Sequence, residues 1–210
     1  MSHIDDTSQL TRKLLLYMDL GLPNNEIQLI AEAAKYHDIG KIYIPDHILY
    51  KPGELTKKEY KIVQQHTVIG HDMIMKSNLN RELKKYAAEI ALHHHERIDG
   101  SGYPDNLLGK EIKDWIQVVA LADVYTALRS KRVYKPAYSK EKAVQIILEG
   151  GCGEFPKEYL TKFQEYLTKR VYKPAYSKEK AVQIILEGGC GEFPKEYLTK
   201  FQEYLTKRVF

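Results

Sequence analysis

A 38-residue segment, Lys131 to Thr168, recurs without a single change as Lys169 to Thr206, and Lys207-Arg208-Val209 begins a third copy. Repeats of a solenoid normally diverge and run to three or more units, whereas these two identical copies follow an unrelated stretch. The pattern reads as a tandem duplication of a domain's tail. Residues 1–168 then make the domain, and 169–210 are an accessory copy. The second copy was shaped for a surface the first already fills, so it either packs outside the core or swaps into a neighbouring molecule, which would give a homodimer. Cys152 and Cys190 are the same residue of the two copies, which argues against a disulfide framework and fits a reducing compartment.

Ahead of the duplication, apolar residues recur at three- and four-residue steps and Val/Ile/Thr alternation is rare, so the fold class expected is all-α. A first helix covers roughly Asp5 to Asp19 and stops at Gly21 and Pro23. A second runs from about Asn25, burying Ile27, Ile30, Ala31 and Ala34, into His37-Asp38. Pro45, Pro52 and Gly53 mark an irregular link. Thr56-x-x-Glu59 is a capping box that opens a third helix through about Met75, carrying His66. The fourth begins near Asn80 and ends in His93-His94-His95-Glu96, where glycines and a proline shape a loop. The fifth, about Lys113 to Ser130, puts Ile116, Val119, Ala120, Asp123 and Ala127 in line. Each tail copy supplies two shorter helices, one after Ser139 (or Ser177) and one opened by Pro156 (or Pro194).

No apolar run approaches the roughly 20 residues of a membrane-spanning helix, and Met1-Ser2-His3-Ile4-Asp5-Asp6 lacks the basic start and apolar stretch of a signal peptide. A cytoplasmic location without membrane attachment is expected. The net charge of +4 is modest, and lysines are interspersed with glutamates as on solvated helix faces, so a nucleic-acid polymer is not the partner suggested.

The central observation is that four helices each deliver His or Asp at or near an apolar face: His37 and Asp38, His66, His94 and His95, and Asp123. Buried without a cation, each unpaired charge would cost several kcal/mol, about the penalty of an uncompensated ion. A pair of divalent metals satisfies them together. Imidazole and carboxylate without thiolate suit iron, manganese or zinc, and two metals about 3.5 to 4 Å apart hydrolyse phosphate esters well. Adjacent His37-Asp38 would lie about 100° apart around a helix, letting one side chain reach a single metal while the other bridges.

His37-Asp38-Ile39-Gly40-Lys41, Ile44-Pro45, Lys51-Pro52-Gly53, His66 with Gly70, the string from His94-His95-Glu96 to Gly102-Tyr103-Pro104, and Ala122-Asp123-Val124 with Arg132 and Tyr134 together resemble the HD-GYP branch of the HD-domain phosphohydrolases. The match spans roughly Leu20 to Leu167. The resemblance implies an HD-domain helical bundle and hydrolysis of the bacterial second messenger cyclic di-GMP to linear pGpG, in some members onward to GMP, by a metal-bridging hydroxide. It implies His37, Asp38, His66, His94, His95 and Asp123 as metal ligands, with Asp38 bridging. Lys41 would steady charge on the scissile phosphate, Arg132 and Lys135 would grip the substrate's phosphates, and Tyr103 would reach the substrate pocket or contact a partner such as a diguanylate cyclase (GGDEF) domain.

Departures from the family pattern fall on the first helix and on the fifth. The family's first-helix His position falls on Asp5, which as a carboxylate is a candidate ligand for a third metal, although a binuclear site is the expectation. Thr126 stands where the family usually has a second Asp, and Arg129 replaces a small polar residue. His47, His71 and His93 match no ligand position and are assigned surface or structural roles. Two other readings stay open on sequence: a non-hydrolytic sensor or interaction module, and an HD hydrolase of another cyclic dinucleotide.

Overall fold

The computed structural model describes residues 3–130 and 137–168. Its helices are α1 (His3–Met18), α2 (Asn24–Ala33), α3 (Asp46–Leu49), α4 (Lys57–Gln64), α5 (His66–Lys76), α6 (Arg81–His93), α7 (Asp114–Arg129), α8 (Lys140–Leu148) and α9 (Lys157–Thr168). Tight 3-10 turns lie at Ala34–Tyr36, Ile39–Tyr43 and Gly109–Glu111. The all-α expectation holds, since no strand occurs among the described residues. Arg132, Lys135 and the second tail copy lie outside the described residues.

Short polar side chains set several helix starts. The Thr56 hydroxyl accepts the Glu59 N–H and the Glu59 carboxylate accepts the Thr56 N–H, the reciprocal box expected from the sequence. Asn80 accepts the Leu83 N–H ahead of α6, and Ser139 accepts the Lys142 N–H ahead of α8. Each of these bonds satisfies a backbone donor that has no partner inside its own helix.

The core is built around α7. It packs on α1, α6 and α8, and Ile116 through Asp123 are buried without interruption. The sequence reading gave this helix one apolar face; burial instead runs around the whole cylinder, which is how a central helix differs from an amphipathic surface one. The α2 and α5 helices close on α6, whose Ala87, Ile90 and Ala91 are fully buried. The α9 helix is tied to α1 by Lys162 Nζ donating to the Met18 carbonyl and by the Tyr17 hydroxyl donating to Glu165.

Two expected helices differ in a way that shapes the site. The second stops as an α-helix at Ala33 and tightens into a 3-10 turn, so Asp38 sits at φ −103°, ψ 9°, between two such turns instead of on a continuous helix. The third is interrupted at Gln65, where His66 Nδ1 and the Thr67 hydroxyl take the carbonyls of Val63 and Gln64. The link between them is also less irregular than expected, holding α3 and the 3-10 turn at Ile39–Tyr43. That turn is pressed onto α5: a Cβ at Gly40 would lie 2.1 Å from the His66 carbonyl oxygen and 2.6 Å from the Gly70 nitrogen. Only glycine allows the two backbones this approach.

Candidate metal centre

Three imidazoles are aimed by the same local device. His37 Nδ1 lies 2.8 Å from the Ala34 carbonyl, His66 Nδ1 2.6 Å from that of Val63, and His94 Nδ1 2.9 Å from that of Ile90. A ring that donates its Nδ1–H back to a carbonyl of the preceding turn has its Nε2 fixed outward, in the tautomer that binds a metal. All three rings are buried. Among the described residues, no hydrogen bond ends on Nε2 of His66, on Nε2 of His94 or on Oδ1 of Asp38, although each atom is fully enclosed. Enclosed polar atoms without such bonds are costly, and their convergence is what a bound cation would relieve.

Asp38 faces two ways. Its Oδ1 lies 3.4 Å from His66 Nε2 and 3.7 Å from His94 Nε2. Its Oδ2 lies 3.3 Å from His37 Nε2 and 2.6 Å from Lys41 Nζ. Asp123 Oδ1 stands 3.3 Å from the same His37 nitrogen. Asp38, His66, His94 and His95 each offer a ligand atom within 4.8 Å of the others, while His37 adjoins through the other oxygen of Asp38 and Asp123 through His37. The donor set therefore fits divalent cations. The six residues singled out in the sequence come together, as does Lys41.

The electrostatics divide the imidazoles. Burial alone pushes His37 down, but Asp123 and Asp38 outweigh it and raise it to about 10. His66 is driven down to about 4 by burial and by the neighbouring His94. Burial and His94 also hold His95 well below the usual imidazole range. Burial resists ionisation of Asp38, yet the close approach of the His37 and His94 rings, with the charges of His37 and Lys41, holds it well below the usual carboxylate range. The pocket thus presents neutral imidazoles at His66 and His95, a protonated one at His37 and an ionised carboxylate at Asp38.

Tyr103 is stacked on His95, with ring centroids 4.6 Å apart and planes 25° from parallel. Burial raises its phenol pKa, so it faces the pocket as a neutral hydroxyl. What positions it is Glu96, which the sequence reading quoted only as part of a motif. This buried carboxylate accepts Asp105 N–H at 2.7 Å on Oε1 and Leu107 N–H at 3.0 Å on Oε2, clamping the loop. Arg97 was overlooked in the same way. Its guanidinium bonds to the carbonyls of His94, Glu96 and Cys152 and lies 4.8 Å from the Phe155 ring centre, joining the ligand pair to the first tail copy. The available signal was two charges directly after a His pair that ends an apolar helix.

Elsewhere, Asp5 is exposed on α1, where its charge adds to that of Glu32 in raising Lys35. Thr126 is buried, its hydroxyl 2.7 Å from that of Thr7. Arg129 donates to the Tyr138 carbonyl at an exposed position. His47 is exposed, His71 pairs with Asp72, and His93 sits between Asp105 and Glu89.

Residues 1–151 match the HD domain family. The chain belongs to that family. This HD-domain protein is 46% identical over 133 residues to the cyclic di-GMP phosphodiesterase response regulator RpfG of Xanthomonas campestris, covering 63% of this chain and 35% of the relative. It is 46% identical over 129 residues to a cyclic di-GMP phosphodiesterase of Thermotoga maritima, covering 61% and 34%. To a 3'3'-cGAMP-specific phosphodiesterase of Vibrio cholerae it is 43% identical over 122 residues, covering 58% and 23%. The matched region thus spans about a third or less of these curated relatives. Among solved structures, the HDG"Y"P protein Bd1817 of Bdellovibrio bacteriovorus superposes with a TM-score of 0.61 at 19% identity, over 79% of this chain and 51% of that one. The fold read from the sequence is therefore that of the HD domain, and the HD-GYP resemblance stands. No helix among the described residues is long and apolar enough to cross a membrane.

Proposed function

We propose that this HD-domain protein is a metal-dependent phosphodiesterase that opens cyclic di-GMP to linear pGpG, working in the cytoplasm. The observation that carries the reading is the two-sided Asp38, with one oxygen toward His66 and His94 and the other toward His37 and Lys41. Such a carboxylate suits a bridge between two cations, one held by His66, His94 and His95 and the other by His37 and Asp123. Iron or manganese fits this donor set, and zinc is accommodated by the same ligands. Bound there, the pair would act as a Lewis acid on the phosphodiester. Lys41, partly exposed beside Asp38, places a cation where a phosphate oxygen would arrive. Arg132 and Lys135 are assigned to the substrate's outer phosphates by the family resemblance. A GGDEF domain remains the partner to test against the Tyr103 loop.

The names of the relatives support this substrate, and the 3'3'-cGAMP-specific relative favours a mixed cyclic dinucleotide as the second reading. The test is metal content of anaerobically purified protein together with product chromatography of both cyclic dinucleotides after incubation with iron or manganese. About two metals per chain and linear pGpG are expected. Two metals with cleavage of only the mixed dinucleotide would select the second reading, and absence of metal would overturn both.

A further inference from the structure

The α4 helix buries none of its residues, so the apolar core does not hold it. It is held at its first turn instead, by the Thr56–Glu59 capping box and by Lys51 Nζ at 2.7 Å from Glu59. Tyr60, 47% exposed, is presented by this helix. Its ring meets Tyr103 edge to face, with centroids 6.1 Å apart and planes at 81°. Tyr103 in turn stacks on His95, and His95 lies 5.1 Å from His66. An aromatic path therefore leads from the metal-ligand cluster through Tyr103 to an exposed ring at its rim.

We propose that Tyr60 is a base-stacking residue that takes one purine of the substrate against its exposed ring surface. This assignment rests on the cyclic dinucleotide reading above and adds to it the element that binds a base. In such a substrate the bases flank the phosphates, so a ring one aromatic residue removed from a ligand histidine is suitably placed to meet a base while the phosphate sits at the cluster. Stacking of a base on an aromatic side chain tolerates any base, because every base offers a π-face. Tyr60 would thus add affinity without deciding between guanine and adenine.

The experiment uses the full chain loaded with manganese. Binding of GMP and of inorganic phosphate is measured for the wild type, Tyr60→Ala and Tyr60→Phe, alongside kcat and KM for cyclic di-GMP. Loss of stacking should weaken GMP about 5- to 140-fold in Tyr60→Ala and leave inorganic phosphate unaffected. KM for the dinucleotide should rise more than kcat falls, and Tyr60→Phe should restore GMP binding. Unchanged GMP binding in Tyr60→Ala overturns the proposal, as does an equal loss of phosphate binding or of metal, which would mean that Tyr60 only supports Tyr103 and His95. If the wild type binds GMP through Tyr60 but does not cleave cyclic di-GMP, the substrate reading fails and the stacking residue stands. If the wild type does not bind GMP at all, the stacking assignment fails.

Discussion

Nε2 of His37 lies 3.3 Å from Oδ1 of Asp123, joining the turn after α2 to the buried middle of α7. Burial lowers the imidazole's pKa, but the two aspartates raise it to about 10, against about 6.5 in an unfolded chain. Because the folded value is raised, the pair's contribution to metal-free stability is fully present below about pH 6.5 and is lost as pH rises through about 10. At pH 7 to 8 the metal-free imidazole carries a proton that a metal must displace. Metal binding should therefore release about one proton, seen as a buffer-dependent heat in calorimetry. Asp123→Asn should reduce that release, with Asp38 still beside the ring, and lower metal content, and equal heats in all buffers for the wild type would contradict the assignment.

His94 is the imidazole that touches the most of the cluster, with its ring centre 4.0 Å from His95, 5.1 Å from His37 and 5.5 Å from His66. His94→Ala should abolish turnover and lower metal content, as should Asp123→Ala. Thermal unfolding without metal separates this from misfolding, since the cavity itself should cost no more than about 2–4 kcal/mol. Turnover retained at full metal loading in either variant would refute the site.

Glu96 offers one carboxylate oxygen to each of two backbone donors, Asp105 N–H and Leu107 N–H. Glu96→Gln keeps the volume but turns an NH2 group against one of those donors, so the isosteric change should still cost at least about 2 kcal/mol. The loop carrying Tyr103 should loosen, with faster hydrogen exchange at Asp105 and Leu107 and reduced activity. Unaltered exchange at both amides would show that the clamp is not what orders the loop.

Gly40 has no room for a methyl group, because a Cβ there would overlap the backbone of His66 and Gly70. Gly40→Ala should push the Ile39–Tyr43 turn off α5 and part Asp38 from His66. Overpacking of this kind typically costs about 1–3 kcal/mol, and backbone atoms cannot rotate away as a side chain would. Both thermal stability and metal affinity should fall; a fall in stability alone would mean that the cluster tolerates the displacement.

The first tail copy fills its docking surface through Cys152 and Phe155 on Arg97. Removal of Lys169–Phe210 should therefore leave folding and activity in place, with stability within about 1 kcal/mol of the full chain. Loss of folding on truncation would show that the second copy is needed.

Much of the site was legible because metal ligands are few in kind and costly to bury. His66 and Asp123 stood at core positions of apolar helices, and His37-Asp38 and His94-His95 stood where such helices end. Helix starts at Thr56, Asn80 and Ser139 were readable for a local reason as well, since a cap needs only the next three residues. Glu96 and Arg97 were harder to find, because a charged residue after a helix end is ordinarily solvated, and only the folded loop shows them enclosed.

The sequence by itself determined the all-α class, the positions of most helices, the six clustered His and Asp residues and the duplication, all of which depend on local period, residue chemistry or identity along the chain. The tertiary structure decided that α7 is buried all round, that the helix is interrupted at Gln65, that Asp38 turns one oxygen to each side of the cluster and that Tyr103 lies on His95. Those features arise where segments distant in sequence press on one another. The fit of Gly40 against His66, or of Glu96 into its loop, depends on contact distances that no local pattern encodes.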